Sequence, residues 1–181
     1  MEIEIKGGAI PGRGAIAVAV GKGGKLSPAA TELDKTTEGA IKQVLRASRF
    51  SGNKGQQAEI LAPRGTRLDR ILLLGVGDPA DMTQNDLEAL GGKTYSAWAS
   101  SGVKQGKIVI DSDGLASKTR LTKGAIQAHV AVGARLASYR FDKYHTKLKD
   151  EDKPTLETLT IGTRSAAAAR DAFASLDRVA E

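Results

Sequence analysis

The sequence predicts an α/β protein, a three-layer α/β/α sandwich with a mixed, mainly parallel sheet. Three observations predict it. The longest apolar run, Ile71-Leu72-Leu73-Leu74-Gly75-Val76, follows the charged pair Asp69-Arg70 and ends in the turn Gly77-Asp78-Pro79. An uninterrupted apolar run bounded by turn residues reads as a strand buried on both faces. Short β-branched runs also alternate along the chain with longer stretches of helical period, the pattern of helices packed on both sides of a sheet. The helical stretches, finally, carry cap residues at their starts. The strand at 70–76 is expected at the centre of the sheet.

Taken in order, Glu2 to Lys6 alternates polar and apolar residues and reads as a short strand. Ile10-Pro11-Gly12-Arg13-Gly14 is a loop. Ala15 to Val20 has β-branched residues at every second position, again strand patterning, and Gly21-Lys22-Gly23-Gly24-Lys25 breaks it. Ser27-Pro28 opens a helix, with serine as N-cap and proline in the first turn, where its missing N–H costs nothing. Leu33, Ala40, Ile41, Val44 and Leu45 fall on one face of it. Gln57 to Ala62 is a strand stopped by Pro63-Arg64-Gly65, and the long apolar strand follows.

Thr83 caps a helix over roughly 84–101, with Leu87, Leu90, Thr94 and Ala97/Trp98 inward. Gly91-Gly92 inside it costs about 1 kcal/mol per glycine relative to alanine. That cost points to close packing or a kink. Lys107 to Asp111 is a strand and Asp113-Gly114 a turn. The longest helix is expected over 119–140, with Ile126, Val130, Gly133 and Leu136/Ala137 inward. A charged, irregular stretch runs from Arg140 to Pro154. Leu156 to Ile161 is a last strand, and Ser165 caps a final helix over 166–180.

A chain of 181 residues fits one domain. At that size folding buries roughly 70% of the unfolded surface. There is no cysteine, which excludes disulfides and thiolate metal sites. No window approaches 18 apolar residues, and the alternating N-terminus lacks the apolar region of a signal peptide. The formal charge is +6 and the pI about 9.6. This balance reads as a lysine-rich solvated surface, or as a surface suited to an anionic partner.

Few residues combine into chemistry. Gly75-Val76-Gly77-Asp78 follows a buried strand, as a phosphate loop would. The third glycine of a dinucleotide fingerprint would fall at Ala80, and no helix opens directly behind it. A strand-ending turn is the better reading. Asp111-Ser112-Asp113-Gly114 begins like a calcium loop, but its twelfth position is Thr122, where a bidentate glutamate is required. His129 and His145 have no acidic residue at metal-motif spacing on the same helical face, and read as structural or surface histidines. No Gly-x-Ser-x-Gly elbow and no P-loop occur. Tyr139 to Lys147 mixes aromatics with cations. It reads as a helix end anchoring a loop, or as an anion or DNA contact through Arg135, Arg140, Lys143 and Lys147.

Several segments together resemble the N-terminal domain of leucyl (cytosol) aminopeptidases. They are Leu26-Ser27-Pro28 through Leu33-Asp34-Lys35, Gly39, Gly52-x-x-Gly55-Gln56, Arg70 to Gly77, and Gly133-Ala134-Arg135-Leu136-Ala137-Ser138-Tyr139-Arg140-Phe141-Asp142-Lys143-Tyr144-x-Thr146-Lys147. The resemblance covers nearly the whole chain. It implies a macro-domain-like fold over 1–164 and a terminal helix, 165–181, connecting toward a C-terminal catalytic domain absent from this sequence. It also implies a cytoplasmic parent enzyme, hexameric, that releases N-terminal amino acids, preferentially leucine, from peptides by means of two divalent metals (zinc, manganese or magnesium). The family's metal ligands and catalytic Lys and Arg lie in that other domain, so no catalytic or metal-binding residue is carried over and this chain is expected to be inactive alone. Two other functions remain open: a macro-like ligand-binding module, with loops at Gly21 and Gly75, or a DNA-binding regulatory domain.

Overall fold

The computed structural model describes residues 1–111, 115–122, 124–144 and 149–180. Its strands are β1 (Glu2–Lys6), β2 (Arg13–Gly21), β3 (Lys25–Leu26), β4 (Gln57–Leu61), β5 (Arg67–Gly77), β6 (Gln105–Val109) and β7 (Thr158–Gly162). Its helices are α1 (Pro28–Thr36), α2 (Ala40–Ala47), α3 (Gln84–Trp98), α4 (Ala125–Tyr144) and α5 (Ala166–Ala180). The sheet runs β1-β7-β6-β2-β5-β4, with β3 paired to β2. β1, β7, β6, β2 and β5 are mutually parallel, while β4 and β3 are antiparallel to their partners.

The order corrects one expectation. β5, the long apolar strand, lies next to the edge strand β4, and β2 and β6 hold the middle. Apolar residues on both faces of a strand require a layer above and a layer below. They say nothing about how many strands stand to either side, and β5 has its two layers at a position one strand from the edge.

The two faces are packed differently. Ala15, Ala17, Leu72, Leu74, Ile108 and Ile161 meet α3, α4 and α5. Ile16, Val18, Val20, Ile71 and Leu73 meet Leu33 of α1 and Ile41 of α2. Small alanines on β2 let the larger α3–α5 layer approach closely, and the bulkier isoleucine, valine and leucine set fills the space under α1 and α2. On this second face the outer strands carry polar residues in register, Glu4 beside Thr160 beside Lys107. Lys107 donates to the carbonyl of Ala9 at 2.6 Å, which ties down the loop after β1. Burial, with Lys6 nearby, holds its ammonium below the ordinary lysine range.

Two helices differ from their sequence pattern. The expected single helix after Ser27 is α1 and α2, broken at Thr37–Gly39, where Glu38 (φ 56) and Gly39 (φ 83) are left-handed. The apolar period continues in phase through the break, which is why it was invisible. Asp34 secures the corner, accepting from the amide of Lys42 at 2.9 Å. The longest helix starts at Ala125, because Ala116 and Arg120 are left-handed and 117–119 forms a 3-10 turn. It then runs on to Tyr144, into the stretch expected to be irregular.

α3 and α4 touch backbone to backbone. A Cβ on Gly91 would lie 1.9 Å from the carbonyl oxygen of Val130, and one on Gly133 would lie 1.8 Å from that of Glu88. Close packing, rather than a kink, accounts for Gly91. α3 begins with a capping box, in which Thr83 accepts from the amide of Asp86 and Asp86 accepts from that of Thr83. α5 seats the fully buried Ala169 beside Gly124, and Arg170 donates to the carbonyl of Ile5 at 3.3 Å.

Candidate functional site

Of the predicted cations described on α4, Arg135 stands apart from Arg140 and Lys143. Arg135 faces α5, with its guanidinium 5.9 Å from the centre of the Phe173 ring and Nε 3.5 Å from Asp177. That arrangement, with partial burial, makes Arg135 a clasp between helices. Arg140 stands five positions on, about 140° around the helix. It is exposed and borders a groove between α3 and α4. Lys143 is exposed one turn further. Lys147 and His145 lie outside the described residues, as does the turn at Asp113-Gly114.

His129 is buried and its Nδ1 lies 2.9 Å from Oε1 of Glu88, across the α3–α4 crossing. Its partner is on another helix, where same-helix spacing could not find it. The pair ties the helices where Gly133 presses on the Glu88 backbone. Among the described residues, no group of three or more His, Asp or Glu side chains is placed to hold a metal ion.

The Gly75–Asp78 segment is a strand-ending turn whose two glycine amides are already used. The Gly75 N–H donates to Gln56 and the Gly77 N–H to Gly52, at 2.8 and 2.9 Å, and the Gly77 carbonyl accepts from Lys22. Asp78 then caps the 3-10 turn that follows by accepting from Ala80. A phosphate loop presents free amides. This one has both glycine amides bonded to the loop before β4.

Open space also lies at the carboxyl ends of the strands, the usual location of ligand sites in such sheets. Two cavities, of 490 and 330 Å³, meet at Pro28 and Asp111. The first reaches from α1 to Thr163 and Arg164 behind β7. The second lies between the loops after β2 and β5, at Gly21, Lys25 and Asp78. Asp111 accepts from the Ala29 amide at 3.2 Å, so a carboxylate already sits at the N-terminus of α1. Glu32 and Asp78 add further negative charge to the crevice. An anion finds the end of α1 taken by Asp111 and meets Glu32 and Asp78 as well as Lys25 and Arg164. Asp111 and Ala29 are 82 residues apart, and no local pattern joins them.

Residues 17–148 match the model of the cytosol aminopeptidase family, N-terminal domain. A probable cytosol aminopeptidase of Methylorubrum extorquens is 36% identical over 170 residues, 93% of this chain and 32% of that protein. One from Caulobacter vibrioides is 32% identical over 167 residues, 92% of this chain and 32% of that protein. The chain thus spans about a third of the length of the curated relatives it matches. Among solved structures, a variant of tomato leucine aminopeptidase superposes with a TM-score of 0.72 at 22% identity, covering 95% of this chain and 35% of that one. The macro domain of ganglioside induced differentiation associated protein 2 superposes with a TM-score of 0.66 at 12% identity, covering 94% and 81%. At these identities the structural likeness speaks for the fold, which is macro-domain-like. The family model spans most of the chain and matches the same segments that carry the resemblance in the sequence, so this chain belongs to the cytosol aminopeptidase family, as its N-terminal domain.

Proposed function

We propose that this domain serves a leucyl aminopeptidase, an exopeptidase releasing N-terminal amino acids, preferentially leucine, without carrying its chemistry. Its role is assembly and regulation: it packs against the catalytic domain of the same enzyme within a cytoplasmic homo-hexamer, and α5 forms the connector. The observation that carries this reading is the match of 17–148 to the family's N-terminal domain in a chain that spans about a third of its relatives. The parent enzyme would use two divalent ions, zinc, manganese or magnesium. The residues present do not fit such a centre, since the described acidic residues and histidine form no ligand group. No step of peptide hydrolysis is routed through this chain. The test is hydrolysis of a leucine anilide by the purified 181-residue chain with added manganese. Background turnover is expected, and activity that co-purifies with the chain through successive columns would overturn the reading.

A second reading, a macro-like ligand module, has the crevice at the strand ends in its favour. Its charge weighs against a diphosphate ligand, because Asp111 occupies the end of α1. Calorimetry with ADP-ribose is expected to give no heat of binding. Saturable heat would establish the module reading in place of the first.

A further inference from the structure

We propose that the amino ends of β2, β5 and β6 form a binding site for a linear phosphate anion. The reading is independent of the aminopeptidase assignment. It starts from register. Arg13 and Arg67 are direct partners on the adjacent parallel strands β2 and β5. On the other side of β2, Ala15 pairs with Gly106, and Lys104, the residue just before β6, borders the same cavity as Arg13. The three cations form a row across three neighbouring strand starts. They border one open cavity of 680 Å³, and all three are exposed.

Like charges directly opposite each other on neighbouring strands repel. Proteins usually relieve such a row with an acidic partner, and here none is engaged. Among the described residues, Arg13, Arg67 and Lys104 make no side-chain hydrogen bond or ion pair. Asp69 and Glu157 border the same cavity without closing on them. Asp69 is the extra residue of a bulge, where β2 passes from Gly14 to Ala15 while β5 passes from Leu68 to Arg70. The bulge leaves Asp69 without a strand partner on β2.

The row's spacing selects the ligand. Two strand intervals of about 4.8 Å separate the outer cations by roughly 10 Å. That span suits several linked phosphates rather than one. Two guanidinium forks offer bidentate contacts to phosphoryl oxygens, and an ammonium at the end supplies a point charge. The chemistry is shared by free oligophosphates and by the phosphodiester backbone of a nucleic acid. It is distinct from the exposed Arg140 and Lys143 of α4, which do not line this cavity.

The test uses the whole chain and follows backbone amides by NMR while sodium tripolyphosphate, orthophosphate or a short single-stranded oligonucleotide is added. Tripolyphosphate is expected to shift the amides of Gly14, Gly102 and Gln105 with a Kd below about 1 mM, more tightly than orthophosphate. Arg13→Gln with Arg67→Gln should weaken binding about tenfold, a change of about 1.4 kcal/mol. Both residues are exposed, so the remaining amides should keep their positions. Lys104→Gln provides a second variant should the double change disturb folding. Shifts of the same amides by the oligonucleotide but not tripolyphosphate would assign the site to a nucleic-acid backbone. Absence of shifts with every phosphate, equal affinity in the variants, or the same shifts from sodium chloride at equal ionic strength would overturn the proposal.

Discussion

Gly91 and Gly92 are neighbours on α3, yet alanine should act in opposite directions at the two positions. At Gly91 a Cβ would stand 1.9 Å from the Val130 oxygen and 2.9 Å from the Ala134 nitrogen. Both are backbone atoms of α4 and cannot rotate aside. Reaching ordinary contact requires the helices to part by about 1.5 Å. Overpacking of this kind costs typically about 1–3 kcal/mol, and a backbone clash belongs at the upper end. Alanine returns about 1 kcal/mol of helix propensity, leaving a net loss of about 2 kcal/mol. At Gly92 the nearest atoms are the Gly133 oxygen at 3.5 Å and the Ala137 Cβ at 3.8 Å, which is ordinary contact. There the propensity gain survives, up to about 1 kcal/mol. For a chain of this length, Gly91→Ala should lower Tm by about 4–8 °C and Gly92→Ala raise it by about 2–4 °C. Thermal melts followed by far-UV circular dichroism, with urea unfolding followed by the buried Trp98, measure both. Equal effects at the two glycines, or a stable Gly91→Ala, would refute the backbone contact between α3 and α4.

Two further predictions concern charge. Burial works to raise the Asp86 carboxyl, but hydrogen bonds from the Lys54 ammonium and from the amide and hydroxyl of Thr83 outweigh it and hold it below the usual carboxylate range. Its contribution is therefore present above the unfolded carboxyl value near 4 and lost as pH falls through the lower folded value. Asp86→Asn should cost about 1 kcal/mol at neutral pH. That difference from the parent chain should shrink in urea titrations carried below pH 4, and a difference that stays constant with pH would remove the ionic cap. On α4, replacing Arg140 and Lys143 with alanine should leave any salt-dependent shift of duplex DNA in a gel unchanged, because Arg135 is turned to Phe173 and Asp177 and two exposed cations make a small footprint. Loss of the shift in that variant would restore α4 as a nucleic-acid surface.

Local patterning carried most of the elements. Alternation found β1 and β2, the apolar run found β5, and Ser27 and Thr83 marked helix starts where the structure has them. What local patterning lacks is lateral information. The position of β5 beside an edge strand depends on where β4, β2 and β6 pair, and apolar content on two faces is the same one strand from the edge as in the centre. The break between α1 and α2 was hidden because Leu33 and Ile41 stay in phase across it. The sites were less legible still. Asp111 reaches α1 across 82 residues, His129 finds Glu88 on another helix, and Arg13, Arg67 and Lys104 become neighbours only through the sheet's register. Arg135 looked like part of a basic cluster because sequence proximity records charge, whereas its contact with Phe173 depends on where α5 packs.

The pairing of β1 with β7 sets the order in which this domain can be completed during synthesis. Glu2 pairs with Thr158 and Lys6 with Gly162, so the first strand made must wait for the last. The strands that hold the middle, β2, β5 and β6, are all available by Val109 and can assemble while the N-terminal segment is still unattached. Long-range parallel pairing of this kind is slow to close, because the intervening chain must be ordered before the contact forms. Until β7 emerges, the outer edge of β6 stays open, and the ribosome must release the chain well past Gly162 before β7 can cover that edge and β1 can pair with β7 in turn.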